Sequence, residues 1–245
     1  MTAIPKSSGK KLGLVIDLDI CVGCNACTTS CKEWNTSGYS APLTDTDPYG
    51  ENPTGVWFNR VHSFEVTAPD GSSQTINFPK SCLHCDDAPC VTVCPTGASF
   101  KRAEDGIVLV DQDTCIGCKL CSWACPYGAR EYDSNDGVMK KCTLCVDKIY
   151  NDDLPEHSRV PACVSACPTG ARSFGDLGDA DSAVSKLVES RGGFDLMPEQ
   201  QCSPVNKYLP LRKKVVATSA ATATLQPKVS SAADALLKWI DKSLS

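Results

Sequence analysis

The stretch Asp111-Gln112-Asp113-Thr114-Cys115-Ile116-Gly117-Cys118-Lys119-Leu120-Cys121-Ser122-Trp123-Ala124-Cys125-Pro126 spaces four cysteines by two, two and three residues and closes on a proline. Cys21, Cys24, Cys27 and Cys31 repeat that spacing, with Lys32 in the place of the proline. Cys82, Cys85, Cys90 and Cys94 form a second group, spaced by two, four and three. In the fourth group Cys142 and Cys145 are separated by a long loop from Cys163 and Cys167. Sixteen of the seventeen cysteines fall into these groups, so the spacing is a framework rather than a scatter. The chain also repeats itself. Asp17, Asp19, Cys21, Gly23 and Cys24 recur as Asp111, Asp113, Cys115, Gly117 and Cys118, at a constant offset. Cys94-Pro95-Thr96-Gly97-Ala98 recurs as Cys167-Pro168-Thr169-Gly170-Ala171 and, in a third version, as Cys125-Pro126-Tyr127-Gly128-Ala129. Internal repetition of this kind marks a duplicated supersecondary unit.

Three cysteines so closely spaced do not readily pair with one another as disulfides. They can wrap one side of an inorganic cube, each sulfur reaching a different iron. The run ending in Cys-Pro is the bacterial ferredoxin signature, whose fourth cysteine ligates the other cluster of a pair. Structural zinc instead pairs two separated Cys-x2-Cys units and gains nothing from a third and fourth cysteine in the same run. Secreted disulfide scaffolds are shorter and their cysteines more dispersed. Sixteen ligands at four per cluster predict four [4Fe-4S] clusters.

Composition agrees. The 245 residues are 42% hydrophobic with cysteine included, about 35% without it, which is thin for an ordinary core. A group held by cysteine is expected to fill space that side chains would otherwise pack. The net charge of −5 argues against a nucleic-acid binder. No apolar run reaches the ~18–20 residues of a membrane span. The first eleven residues hold lysines without an apolar stretch, and no two arginines are adjacent. Neither a secretory nor a twin-arginine signal is expected.

Local pattern predicts a strand over residues 12–18 and short strand pairs at 99–102 with 107–110 and at 130–133 with 138–141. Each of those pairs turns on an Asp-Gly. Short helices are expected after the fourth cysteines of the groups. Residues 32–81 read as an insertion, turn-rich in its first half and a hairpin (56–67 with 74–78) in its second. A helix is expected over 180–189, stopped by Gly192-Gly193. An Ala/Thr-rich linker follows over 217–229, then an amphipathic helix over 232–242. The expected fold is α+β: duplicated bacterial-ferredoxin-like (4Fe-4S) units with an inserted β-hairpin region and a C-terminal helical tail. Residues 12–31 with 142–175 make the first unit and 82–141 the second. Residues 32–81 are the insertion, 176–210 a helix and extended segment, and 211–245 the linker and tail.

These groups, with Cys82-Leu83-His84-Cys85-Asp86-Asp87-Ala88-Pro89-Cys90, Lys141-Cys142-Thr143-Leu144-Cys145-Val146-Asp147 and Pro204-Val205-Asn206-Lys207-Tyr208-Leu209-Pro210, resemble one family over roughly residues 12–210. It is the four-cluster iron–sulfur (electron-transfer) subunit of the dimethyl sulfoxide/polysulfide reductase family of molybdopterin oxidoreductases. Lys32-Glu33-Trp34-Asn35, Asp47-Pro48-Tyr49-Gly50 and Val56-Trp57-Phe58-Asn59-Arg60-Val61 look most like the iron–sulfur subunit of membrane-bound sulfite dehydrogenase. The resemblance implies how the ligands pair. Cys21, Cys24 and Cys27 would share a cluster with Cys167; Cys142, Cys145 and Cys163 with Cys31; Cys82, Cys85 and Cys90 with Cys125; Cys115, Cys118 and Cys121 with Cys94. In nitrate-reductase relatives a tryptophan replaces one ligand of the third group. Here Cys118 is intact, so four cubane clusters are implied.

The resemblance further implies an electron-transfer subunit without a catalytic site of its own. Its partners would be a molybdopterin catalytic subunit and an integral membrane quinone-binding subunit. Electrons would pass from sulfite to quinone, or in the reverse sense if the partner is a dimethyl sulfoxide, polysulfide, thiosulfate or tetrathionate reductase. A formate dehydrogenase or hydrogenase would use the same wire. The expected location is the cytoplasmic face of the inner membrane, or the periplasm by co-export with the catalytic subunit. Three further features are not ligands in this reading. Cys202 reads as a free thiol in an extended segment, and His84 as a residue that packs beside the ligands or donates to them. Lys101, Arg102, Lys119, Arg130, Lys140, Lys141 and Arg172 flank the ligands. They either set cluster potentials, dock a partner, or form a solvated face.

Overall fold

The computed structural model describes residues 3–6, 8–36, 56–67, 71 and 73–212. The turn-rich half of the insertion, the turn at 68–70 and, from residue 213 onward, the linker and C-terminal helix lie outside these residues.

Strand β1, Leu12–Asp17, is buried along its whole length. An uninterrupted apolar run is what a strand covered on both faces requires. Leu14 and Ile16 enter the main core, while Val15 packs with Val184 and Leu209 on the other face. Two strands from the far end of the chain flank β1. Strand β8, Arg172–Asp176, pairs with it antiparallel, Ile16 opposite Arg172. Strand β9, Lys207–Leu209, pairs parallel, Val15 opposite Lys207. Three further antiparallel pairs form separate two-stranded sheets. They are β2 (Asn59–Thr67) with β3 (Ser73–Ser81), β4 (Ser99–Lys101) with β5 (Val108–Val110), and β6 (Glu131–Asp133) with β7 (Val138–Lys140). The β2–β3 pair leans on β9: Phe78 stacks on Tyr208 with ring centroids 4.6 Å apart, and the Tyr208 hydroxyl donates to the Pro79 carbonyl at 3.0 Å.

The helices differ from expectation. They do not follow the fourth cysteines but precede or contain them. Helix α1 (Ala26–Asn35) runs through Cys27 and Cys31. Helices α2 (Pro89–Thr92), α3 (Leu120–Trp123) and α5 (Ala162–Ser165) carry Cys90, Cys121 and Cys163, four residues ahead of Cys94, Cys125 and Cys167. A separation of four residues is one helical turn, which sets both sulfurs on one side, about 6 Å apart along the axis. The turn therefore has to lie between them. Pro95, Pro126 and Pro168 then stop three of the helices, since proline cannot continue a helical ladder. Where Lys32 stands in place of proline, α1 runs on to Asn35. Helix α4 (Val146–Ile149) follows Cys145 directly. Helix α6 (Ala183–Arg191) is capped by Ser182, whose hydroxyl accepts from the Ser185 amide at 3.1 Å, and ends at Gly192.

The segment before β9 locks onto the second cysteine group. The Asp86 amide donates to the Ser203 carbonyl at 2.9 Å, and the Val205 amide to that of Leu83 at 3.1 Å. Asn206 is fully buried and serves both sides. Its Oδ1 accepts from the Leu14 amide in β1 at 2.8 Å, and its Nδ2 donates to the Cys82 carbonyl at 2.9 Å. Cysteine makes up much of the interior: Cys27, Cys31, Cys82, Cys85, Cys90, Cys121, Cys142 and Cys163 all belong to the main core.

Candidate metal centres

The loops that carry the cysteines are shaped by their neighbours in sequence. In both copies of the Asp-x-Asp motif the first aspartate turns the chain into the loop. Asp17 Oδ1 accepts from the Asp19 amide and Asp111 Oδ1 from the Asp113 amide, each at 3.0 Å. Gly23 and Gly117 then take left-handed backbone, φ 69° and 65°, and Asn25 and Lys119 follow at φ 59° and 62°. This local rule exposes the second cysteine, Cys24 or Cys118, while the third, Cys27 or Cys121, is buried on its helix.

Tertiary packing gathers cysteines from different groups. Cys94, Cys115, Cys118 and Cys121 line one void, with Ser99, Val110 and Met139 as its walls. Burial pushes the Cys31 thiol well above its ordinary range, and the nearby sulfurs of Cys142, Cys163 and Cys145 push it further. Cys85 is raised by burial and then by Cys82, Cys202, Cys90 and Cys125. Cys21 is raised by burial and, more weakly, by Cys27 and Cys167. Cys24 stands exposed at the rim of its loop. Helix α1 packs on α5 and α2 on α3, and this is what brings the distant groups together.

The donor chemistry suits a polynuclear cluster. Several thiolates crowded in a low-dielectric interior repel one another, and burial is the main reason that Cys142 is pushed up to about 12. Such sulfurs ionise together only round a multivalent cation. Among the described residues no three His, Cys, Asp or Glu side chains form a group that could hold a single metal ion. The sulfurs of Cys94, Cys115, Cys118 and Cys121 surround a void instead, as a cube of several irons requires and a lone zinc does not. Backbone amides already point at the sulfurs. Ser99 donates to Cys94 at 3.3 Å, Met139 to Cys115 at 3.4 Å, Leu144 to Cys142 at 3.5 Å and Ala162 to Cys145 at 3.4 Å. Burial raises the Cys94 thiol, but the amides of Ser99, Thr96 and Gly97 and the Thr96 hydroxyl outweigh it, so the net shift is downward. Cys167, in the repeated motif, behaves the same way through Thr169, Ala171 and Arg172.

Sequence reasoning missed several contributors. Asn35, one helical turn after Cys31, offers its amide nitrogen to both Cys31 (3.7 Å) and Cys145 (3.5 Å). Its spacing from Cys31 was the available signal. Cys202, a free thiol, is buried against the second group, a position its sequence does not announce, and it donates to the Gln200 carbonyl at 3.3 Å. His84 is fully buried. Its Nδ1 accepts from the Val108 amide at 3.1 Å, and burial, then Lys141, Arg130 and Lys101, hold it neutral. A solvated face does not describe four of the flanking cations, because Lys101, Arg130, Lys141 and Arg172 are buried. Lys101 reaches Asp86 at 2.6 Å and the Cys85 carbonyl at 3.0 Å. Lys119 remains exposed, with its ammonium 3.9 Å from the Tyr132 ring centroid.

Comparison with known proteins agrees with the chemistry. Two family models, each described as a 4Fe-4S dicluster domain, match residues 20–98 and 73–177. The chain is 61% identical over 204 residues to a sulfite dehydrogenase subunit of Allochromatium vinosum, covering 83% of this chain and 84% of that protein. It is 35% identical over 219 residues to a putative dimethyl sulfoxide reductase iron-sulfur subunit of Halobacterium salinarum (80% and 78% covered). Against a tetrathionate reductase subunit of Salmonella typhimurium it is 37% identical over 205 residues (82% and 73% covered). Among the described residues no helix is long and apolar enough to cross a membrane.

Proposed function

Because the chain belongs to the 4Fe-4S dicluster family of iron–sulfur electron-transfer subunits of oxidoreductase complexes, we propose that it carries four [4Fe-4S] clusters between a molybdenum bis-pterin catalytic subunit and a quinone-reactive membrane subunit, and that the reaction served is sulfite oxidation coupled to quinone reduction. The observation that carries this reading is the 61% identity to a sulfite dehydrogenase subunit along most of both chains. The ligand sets are those named above. The first two belong to a unit made of residues 12–31 and 142–175, and the last two to residues 82–141. When bound, each cluster would accept and release one electron. The protein holds the sulfurs, aims N–H groups at them and excludes water. Electrons enter near the Cys21 group and leave near the Cys115 group. In support, apolar side chains stand exposed within each cysteine run: Val22 (61%) between Cys21 and Cys24, and Ile116 (66%) and Trp123 (84%) in the Cys115–Cys125 run. The subunit sits at the cytoplasmic face of the membrane, held there by its partners.

Anaerobic purification of the intact complex tests the reading. About sixteen iron and sixteen sulfide per chain are expected, with a molybdenum-containing partner and reduction of the clusters on adding sulfite. Four or eight irons would break the cluster count. A complex that ignores sulfite but is reoxidised by tetrathionate would make the subunit a reductase wire, as the Salmonella relative's name suggests for that protein. Protease digestion in intact spheroplasts would move it to the periplasmic side.

A further inference from the structure

The Cys-Pro-x-Gly-Ala motif occurs three times, and in two copies the next residue is arginine: Arg130 after Cys125 and Arg172 after Cys167. Both side chains are buried, at 1% and 4% exposure. Each makes one hydrogen bond to a neutral oxygen. Arg130 Nη2 donates to Ser99 Oγ at 2.8 Å, and Arg172 Nη2 to Asn59 Oδ1 at 2.7 Å. Among the described residues Arg130 Nη1 and Arg172 Nε and Nη1 find no partner, and neither guanidinium pairs with a carboxylate. A buried, permanently charged group is not kept without an opposite charge. Burial opposes both charges; sulfur holds them in place. Arg172 faces Cys163, Cys27 and Cys31, and Arg130 faces Cys90, Cys121 and Cys82. On the ligand sets proposed above, each arginine therefore stands between the two clusters of one unit. In the third copy of the motif Ser99 replaces arginine and instead accepts from Arg130. The count is one guanidinium for each pair of clusters.

We propose that Arg130 and Arg172 are a duplicated pair of potential-setting cations, each lying between two clusters and turning its unpartnered N–H groups toward their sulfurs, so that both neighbouring clusters are easier to reduce. This rests on the four-cluster reading. Reduction adds one negative charge to a cluster, and a fixed positive charge in a low-dielectric interior stabilises that reduced state. Arginine suits the place because its rigid fork can address two sulfur sets at once, which a lysine ammonium cannot. The other buried cations have partners of their own: Lys101 pairs with Asp86, Lys141 donates to the Cys142 carbonyl, and Lys148 donates to Ser165 Oγ at 3.0 Å.

The test is a reductive titration of the intact complex followed by electron paramagnetic resonance, with Arg130→Gln, Arg172→Gln and the corresponding lysine variants. Arg172→Gln should make two cluster signals about tenfold harder to reduce, about 59 mV for a one-electron couple. Arg130→Gln should do the same to the other two. Lysine should restore more than half of each shift. Unchanged potentials at full iron content, or four signals moving equally in either variant, would overturn the proposal. Should a glutamine variant lose iron, recovery of that iron with lysine supports a need for charge, and equal loss with lysine overturns it. A wild-type complex without four clusters would defeat the functional reading itself and is recognised beforehand by its iron content.

Discussion

Gly117→Ala separates what the repeated cysteine loop demands locally from what its surroundings demand. Gly117 has φ 65°, and a Cβ there would meet the Gly137 carbonyl oxygen at 2.2 Å. Gly137, on the other side of that contact, has φ 70°, and a Cβ added to it would have nothing within 4 Å. Alanine at Gly137 thus carries only the left-handed penalty, about 1.5 kcal/mol. Gly23 occupies the equivalent place in the first loop, but its Cβ would meet the Asn77 amide, with Oδ1 at 2.6 Å. A side chain can swing away, at the cost of the 3.0 Å bond from Asn77 Nδ2 to the Cys21 carbonyl; that brings Gly23→Ala to about 2.5 kcal/mol. For Gly117→Ala a backbone carbonyl has to move by about 1 Å, an overpacking strain that raises the total to about 4 kcal/mol. The measurement is the rate at which the visible iron–sulfur absorbance bleaches in guanidinium without oxygen, a kinetic stability. At a factor of ten per 1.36 kcal/mol, Gly137→Ala should bleach about tenfold faster than wild type, Gly23→Ala about seventyfold and Gly117→Ala about a thousandfold. Equal rates for Gly117→Ala and Gly137→Ala would refute the close approach and reduce both loops to their local conformation.

Three further substitutions probe the sulfur sets and the link between sheet and cysteine loop. Cys118→Ser should remove about four irons and interrupt transfer while the other three sets assemble, and Cys202→Ser should keep every iron despite its burial; the reverse pattern in iron analysis would reassign the ligands. Asn206→Ala orphans a buried amide of β1 and the buried Cys82 carbonyl, at about 1–3 kcal/mol each, so anaerobic denaturation should show a loss of about 2–6 kcal/mol. A change below about 0.5 kcal/mol, the usual size of a neutral surface substitution, would show that Asn206 does not join the two elements.

Much of the architecture was legible because its causes are local. Cysteine spacing selects the metal chemistry, since a ligand run has to match the size of what it wraps. The Asp-Gly turns placed the β4–β5 and β6–β7 pairs, because residues either side of a tight turn have only each other to pair with. The segments after Cys94, Cys125 and Cys167 all become strands, but β8 has no Asp-Gly turn to mark it and was not expected from the sequence. The helices lie ahead of the expected positions because the four-residue spacing inside each group, not the group's end, fixes where a turn must form.

What the chain alone did not disclose depends on partners distant in sequence. The pairing of β1 with β8 and β9 joins residues more than 150 positions apart, and three-residue β9 has too few side chains to announce itself. Whether a flanking cation is solvated or buried turns on what the rest of the chain lays over it. Lys119 and Arg130 both flank cysteines in sequence, yet one lies on the surface and the other is buried close to Cys90, Cys121 and Cys82. Cys202 has no cysteine near it in the chain, and only the hydrogen bonds between residues 202–206 and the Cys82–Cys90 loop carry it to Cys85. Local spacing picked out the candidate metal ligands, because ligand reach is a property of a few bonds. Tertiary packing decided which charges and thiols surround them, because burial and electrostatic environment belong to the whole fold.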